Sequence, residues 1–497
     1  MKKIGLNDIK RRKFISGSAL IMGGILSPVP LLFGASALDG KDSEDQGSLN
    51  NDHQPTELDI HAIPNFCSHE HWGSIDAIGA APEQDGFRCD TTAGARPSRA
   101  TSIWDLVLDP YVSGWMSDIG LDPNALAIAA GHPSQLDWWE ASPQAALKGF
   151  KSTFRSSMMT GGFQCTRRGI LKLYGNDIGR FELQDWREAD MAIQKRYSHI
   201  FSWYQQAMRT AHFSELIRPV HPEYYVQEES QESGRQEHSF THTILRIDPF
   251  LDLWRKKSPR RDALSKIAQI EPGDAQRWRE FIKRIFDLAA KNHTAGIKQL
   301  QAYRRSLDYQ YRTDAEVTFR GELNESDITC FQDWVMHECC KQAHERNWVH
   351  QVHVGTNNIA HSSPLPLEAL ANRYPQMNIV MIHCWPFLKE AGWLAKAVRN
   401  MHIDTCWLPV LNPAFLREAL TMWLNYVPVH KIMLAHDSTH VEMATGSSLF
   451  TREILTDTLL YQQKTLQLPV TELRRYAADM LHNNAVRLYK IGSEFNA

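Results

Sequence analysis

From Trp348 to Asp437 the chain repeats one unit: a short apolar, strand-like run followed by a helical pattern. Strand-like runs cover residues 348–354, 378–383, 402–407 and 431–437, and helical patterns cover 366–373, 388–398 and 413–424. Consecutive strands joined through helices pair in parallel with right-handed crossovers. Earlier runs at 63–67, 241–248 and 295–300 read as further strands, with helices at 273–292 and 328–346. One more strand is needed before residue 221, and Leu216-Ile217-Arg218-Pro219-Val220 is the best place for it. No Gly-x-Gly-x-x-Gly follows a strand, which argues against an open nucleotide-binding sheet. Polar, ligand-type residues instead fall at the ends of several different strands. That arrangement predicts a distorted (β/α)8 barrel with its chemistry at the C-terminal face.

The rest of the chain is organised around this body. Residues 1–37 combine Lys10-Arg11-Arg12-Lys13 with an apolar run, Ala19–Leu26, and the small-residue site Ala35-Ser36-Ala37. They read as a twin-arginine-type export signal, with a retained membrane anchor as the alternative. The expected location is the periplasm, reached through the export machinery. Residues 38–57 are polar and read as a linker, 58–490 as the barrel, and 491–497 as a tail. Residues 74–174 are too long for an ordinary strand-to-helix loop and read as a partly helical insertion after the first strand. The 54 Lys+Arg nearly balance the 57 Asp+Glu, so no nucleic-acid surface is expected. The 8 Cys include no Cys-x-x-Cys pair, and Cys67, Cys384 and Cys406 read as small buried hydrophobes. The 15 Trp read as core rather than as binding platforms. A small-molecule substrate is the expected partner, and assembly into a homo-oligomer is left open.

Ser68-His69-Glu70-His71-Trp72 follows the first strand. Side chains alternate along extended backbone, so His69 and His71 share a face. In a barrel, His353, His383 and Asp437 stand at the ends of the fifth, sixth and eighth strands and converge on the same cavity. His69, His71, His353 and Asp437 then form a ligand set for one divalent ion, with Zn²⁺ the first choice. Asp437 and His383 are the catalytic candidates: the carboxylate takes a proton from water, and the imidazole orients a carbonyl or transfers a proton. His436 should face the barrel wall if Asp437 faces the cavity. Arg246, Lys298, Tyr303 and Arg304 are candidates for pairing with a substrate carboxylate.

His69-Glu70-His71, Gln351-Val352-His353-Val354-Gly355, Ile382-His383, Asp404-Thr405 and Leu434-Ala435-His436-Asp437-Ser438 together resemble the metal-dependent amidohydrolase superfamily. The likeness is nearer to its amidohydrolase-related branch, with uronate isomerase-like features. Ile244–Phe250, Ile297–Arg304 and Asn484–Tyr489 extend it. The resemblance implies one or two divalent ions at the barrel mouth. It carries metal binding over to His69, His71, Asp437 and His353. Lys298 stands where binuclear relatives hold a carboxylated lysine, and His383 where they hold a second-metal or catalytic histidine. The Gly-Ile-Lys-Gln-Leu context of Lys298 favours one ion over a bridged pair.

The expected reaction is hydrolysis of an amide, ester or lactone in a small carboxylated substrate by metal-activated water. Aldose–ketose isomerisation of a uronate and metal-dependent decarboxylation are the enzymatic alternatives. A periplasmic binding protein on a barrel scaffold is the non-enzymatic one.

Overall fold

A computed structural model describes residues 58–72, 100–227, 239–255, 257–356 and 358–496. The expected export signal and linker lie outside the described residues, as does Cys89. Eight parallel strands run in chain order: β1 Asn65–Cys67, β2 Phe213–Val220, β3 Thr241–Arg246, β4 Gly296–Gln299, β5 Val349–Val354, β6 Asn378–His383, β7 Met401–Asp404 and β8 Ile432–Met433. With the helices around them, they form the expected (β/α)8-type barrel. Their apolar sets, such as Ile379, Val380, Met381 and Ile382 in β6, are fully buried, as strands covered on both faces require.

The sheet pairs β1 with β2 and so on to β8, with no ladder between β8 and β1 among the described residues. The seam is closed just past the strand ends. There the Asp437 N–H donates to the His69 carbonyl at 3.1 Å, and the His71 N–H to the Ser438 carbonyl at 2.8 Å. β8 is shorter than its sequence pattern because its next donors bond elsewhere. The Leu434 N–H reaches the Met480 carbonyl at 3.2 Å. The Ala435 N–H reaches Asp404 Oδ1 at 3.1 Å.

The insertion is more helical, and longer, than its weak periodicity suggests. Among the described residues, eight α-helices precede β2: α1 Ile103–Val107, α2 Pro110–Asp118, α3 Pro123–Ala129, α4 Gln135–Ala141, α5 Pro143–Phe154, α6 Gly161–Tyr174, α7 Leu183–Tyr197 and α8 Ile200–Ala211. Their starts carry local signals. Asp109 and Asp122 cap helices that begin with Pro, and Ser102 closes a capping box on α1. Trp104 is the hub of their core, in edge contact with Phe150 (5.1 Å, 87°) and Trp139 (5.7 Å, 68°) and tilted against Trp186 (5.2 Å). These tryptophans are core, as expected.

The insertion docks on the long helix Val441–Leu466, which starts ten residues before its clear apolar pattern. Its first turns hold Glu442, Thr445, Gly446, Ser447 and Ser448, all buried. Small residues there allow backbone-to-backbone approach. A Cβ on Gly446 would sit 1.8 Å from the Cys165 carbonyl oxygen, and one on Gly169 would sit 1.7 Å from that of Glu442. Among the described residues no helix is long and apolar enough to cross a membrane.

Candidate metal centre

Past β1 the chain stays extended, and His69 and His71 turn to one side while Glu70 turns to the other. His71 Nε2 lies 3.1 Å from Asp437 Oδ1, and His69 Nε2 lies 3.6 Å from the same oxygen. His383 Nε2 lies 3.9 Å from Asp437 Oδ2. The ligand atoms of His69, His71 and Asp437 fall within 4.8 Å of one another, as do those of His383, Cys406 and Asp437. His69, His71, His383 and Asp437 are thus brought together as expected.

The hydrogen bonds determine the tautomers. The Gln351 amide nitrogen donates to the Ser68 carbonyl and to the Tyr489 hydroxyl, both at 2.7 Å. Its oxygen therefore faces His69 Nδ1, 2.6 Å away, and that nitrogen must be the N–H. His383 Nδ1 likewise donates to the Cys406 carbonyl at 2.9 Å. Both rings consequently aim an Nε2 lone pair at the carboxylate. Burial, followed by the charges of Lys298 and His71, holds His69 well below its ordinary pKa. Burial lowers His383 to about 4. Neutral imidazoles therefore face a carboxylate with lone pair toward lone pair, and His69 Nε2 and Asp437 Oδ1 have no hydrogen-bond partner. Buried polar atoms without a partner call for an explanation, and a cation between them satisfies all of them. The N–H donated from the far side of each ring is the usual support for a metal-ligating histidine. The residues fit a divalent ion.

Backbone strain concentrates at the same strand ends. Thr356, His383, Cys384, Trp407 and Asp437 all have positive φ, between 57° and 74°. Non-glycine residues persist there only when the surroundings hold them, as they do at functional sites.

His353 stands beside this group, with its Nδ1 buried and without a hydrogen-bond partner. Its ring lies 4.3 Å from that of His383, but Nε2 is engaged by the Thr356 hydroxyl at 2.9 Å, and neither ligand group includes it. Lys298 is buried beside Arg246, and burial lowers its amine to about 8. Arg246 is also buried, with Nε donating to Asp248 Oδ2 at 3.3 Å. The Tyr303 ring lies 4.6 Å from His353. Arg304 is not brought to this group. It follows a tight turn at Gln301–Tyr303 that directs its 65% exposed side chain outward to pair with Asp252. His436 faces the wall as expected, with its ring 5.4 Å from Phe213.

Two pocket residues were not legible in the sequence. Trp407 meets His383 edge-on at 5.3 Å, and Tyr111, from α2 of the insertion, lies 5.0 Å from Trp407. Burial, then the Asp437 carboxylate, raises the Tyr111 phenol well above its usual range, so it stays an O–H donor. The Asp109-Pro110 helix start marks α2, but nothing local shows that it reaches the barrel mouth.

The buried histidines give the fold an acid limit. His350 and His436 are lowered to about 3 and His383 to about 4 by burial. The unfolded chain takes up these protons near pH 6.5, while the folded chain refuses them. The stabilisation is therefore complete above about pH 6.5 and is lost as pH falls toward 4. The thermal midpoint of metal-free protein, measured by calorimetry, should fall steadily across that window and change little between pH 7 and 8.

Residues 275–491 match the amidohydrolase family model. Over that region the chain is similar to the amidohydrolase family. The matched region holds β4 to β8, and so His353, His383 and Asp437, while His69 and His71 lie before it. The whole fold is similar to uronate isomerase from Thermotoga maritima, 14% identical with a TM-score of 0.66, covering 86% of this chain and 96% of that one. Glucuronate isomerase from Caulobacter crescentus is 14% identical with a TM-score of 0.63, covering 90% of this chain and 98% of that one. At this identity the likeness is one of fold. Protein fluG of Emericella nidulans is 23% identical over 243 residues, which is 44% of this chain and 28% of fluG. The match thus spans little more than a quarter of that relative.

Proposed function

We propose that this protein is a metal-dependent hydrolase acting on an amide, ester or lactone of a small carboxylated molecule. The reading rests chiefly on Asp437, whose Oδ1 lies beside His71 and His69 while its Oδ2 faces His383 Nε2. His69, His71 and Asp437 would hold one divalent ion, and Zn²⁺ suits two imidazoles and a carboxylate. When bound, such an ion acidifies water and polarises a carbonyl. Asp437 Oδ2 accepts the proton of the attacking water. His383, fixed by Cys406, takes that proton from Asp437 at Nε2 and delivers it to the leaving group. Lys298 and Arg246 pair with the substrate carboxylate. Tyr111, Tyr303 and Trp407 wall the site from bulk water. The leader at 1–37 supports action in the periplasm.

Aldose–ketose isomerisation of a uronic acid is the second reading. The observation in its favour is that the likeness to the two isomerases takes in 96% and 98% of their lengths. The same Asp437 and His383 would then move a proton between neighbouring carbons.

Metal analysis of native protein, followed by NMR of product mixtures from N-acyl amino acids, lactones and uronates, tests both. Hydrolysis products that vanish with chelator support the first reading, and ketose formation without hydrolysis supports the second. Full turnover without metal would sink both. Arg246→Met should raise KM by about 10- to 100-fold, the worth of a hydrogen bond to a charged group. Arg304→Met should leave KM within about twofold, as expected for an exposed ion pair.

A further inference from the structure

Glu70 lies between the two ligand histidines and turns away from them. It is fully buried. Its Oε2 accepts the Ser438 N–H at 2.8 Å and the Trp72 indole N–H at 3.0 Å. Its Oε1 accepts the Cys67 thiol at 2.7 Å, and His436 Nδ1 lies 3.5 Å from that oxygen. The carboxylate therefore touches both chain segments that carry the ligand set: 67–72 with His69 and His71, and 436–438 with Asp437.

These segments meet at the one seam of the barrel where no strand ladder forms among the described residues. Two backbone bonds, from Asp437 to His69 and from His71 to Ser438, join them there. Asp437 has φ of 57°, in the left-handed region. A residue held there needs its neighbours to keep it so. Glu70 grips the next residue, Ser438, by its backbone N–H.

We propose that Glu70 is a positioning residue that holds the Asp437 turn against the His69–His71 segment, so that this carboxylate sets the affinity of the metal site. The proposal rests on the metal-centre part of the function given above and not on the reaction assigned to it. Ser438, Trp72 and Cys67 all present donors to the two oxygens of this side chain, so a carboxyl group suits the position. A glutamine amide could keep its oxygen for the Ser438 and Trp72 N–H groups, but its NH₂ would then replace the acceptor that faces the Cys67 thiol. An aspartate would fall a methylene short.

The test is titration of metal-free full-length protein with Co²⁺, read by its visible absorption. Thermal midpoints of the metal-free forms are measured alongside. Glu70→Gln should fold, bind Co²⁺ about 10- to 100-fold more weakly and shift the absorption bands, as loss of a ligand-supporting contact does. Trp72→Phe removes one donor and keeps the aromatic packing on Tyr204 and Phe213 (5.5 and 5.8 Å). It should weaken Co²⁺ binding by about 3- to 10-fold. If Glu70→Gln does not fold, Trp72→Phe decides, and wild-type affinity in that variant overturns the proposal. Folded Glu70→Gln with wild-type affinity and an unshifted spectrum overturns it as well. Wild-type protein that binds no Co²⁺ overturns the metal centre itself, whereas uptake without turnover of any carboxylated substrate removes only the assigned reaction.

Discussion

Asp437→Asn is expected to lower turnover by about 10⁴-fold, equivalent to about 5.5 kcal/mol of transition-state stabilisation. Its two oxygens have separate duties, one beside His69 and His71 and the other facing His383. Asparagine matches the shape and tolerates the left-handed backbone that position 437 requires. It lacks the charge, and its NH₂ group would donate to the Nε2 lone pairs that now point at an oxygen. The same change that removes the metal therefore relieves the orphaned atoms. Metal-free Asp437→Asn should be at least as heat-stable as metal-free wild type, while its bound metal falls well below one per chain. Steady-state kinetics, metal analysis and calorimetry on the two proteins check all three parts. A variant that keeps its metal and its turnover would remove Asp437 from the mechanism.

Gly446→Ala is expected to destabilise the protein by about 3 kcal/mol or more, at the severe end for overpacking. The added Cβ meets the Cys165 carbonyl oxygen at 1.8 Å, and that oxygen belongs to the backbone of α6, which has no rotamer to escape into. The facing contact repeats the constraint, with Gly169 against Glu442. To fit the methyl group, α6 must lift from the helix Val441–Leu466. At α6's other end, a Cβ on Gly162 would sit 2.0 Å from the Tyr111 carbonyl oxygen, so a shift of α6 is passed to α2. Tyr111 then leaves Trp407. The thermal midpoint should drop by about 3 °C or more, and KM should rise with it. Gly175→Ala is a useful contrast. Its Cβ would meet open space, so the cost is only that of φ at 84°. A Gly446→Ala protein as stable as wild type would show that the two helices are not packed backbone to backbone.

The β3 to β8 part of the barrel was readable because each strand is a short apolar run between helical periods. Its boundaries were less so. β8 reads to Asp437 but pairs only through Met433, since Asp404 and Met480 take the next N–H groups. The helix at 441 was hidden by Ser, Thr, Gly and Glu, which are buried there by close helix contact and make no apolar stripe. Arg304 and Arg246 show the limit for site residues. Both are arginines near a strand end: Arg246 closes β3 and stays buried, while the turn after β4 sends Arg304 outward.

Alone, the sequence determined a parallel barrel and the residues that meet at its mouth. Strand ends are local features, and barrel closure brings them together whatever the details between. His69, His71, His383 and Asp437 were therefore identifiable from spacing and order. Tertiary structure alone decided which nitrogen of each ring faces Asp437, because that depends on Gln351 and Cys406, far away in the chain. It also decided that His353 spends its Nε2 on Thr356, that Tyr111 crosses from the insertion to the pocket, and that Glu70 fastens the seam. Each of these is a contact between segments separated by loops or helices. Side-chain direction at such contacts is set by packing, which no local pattern records.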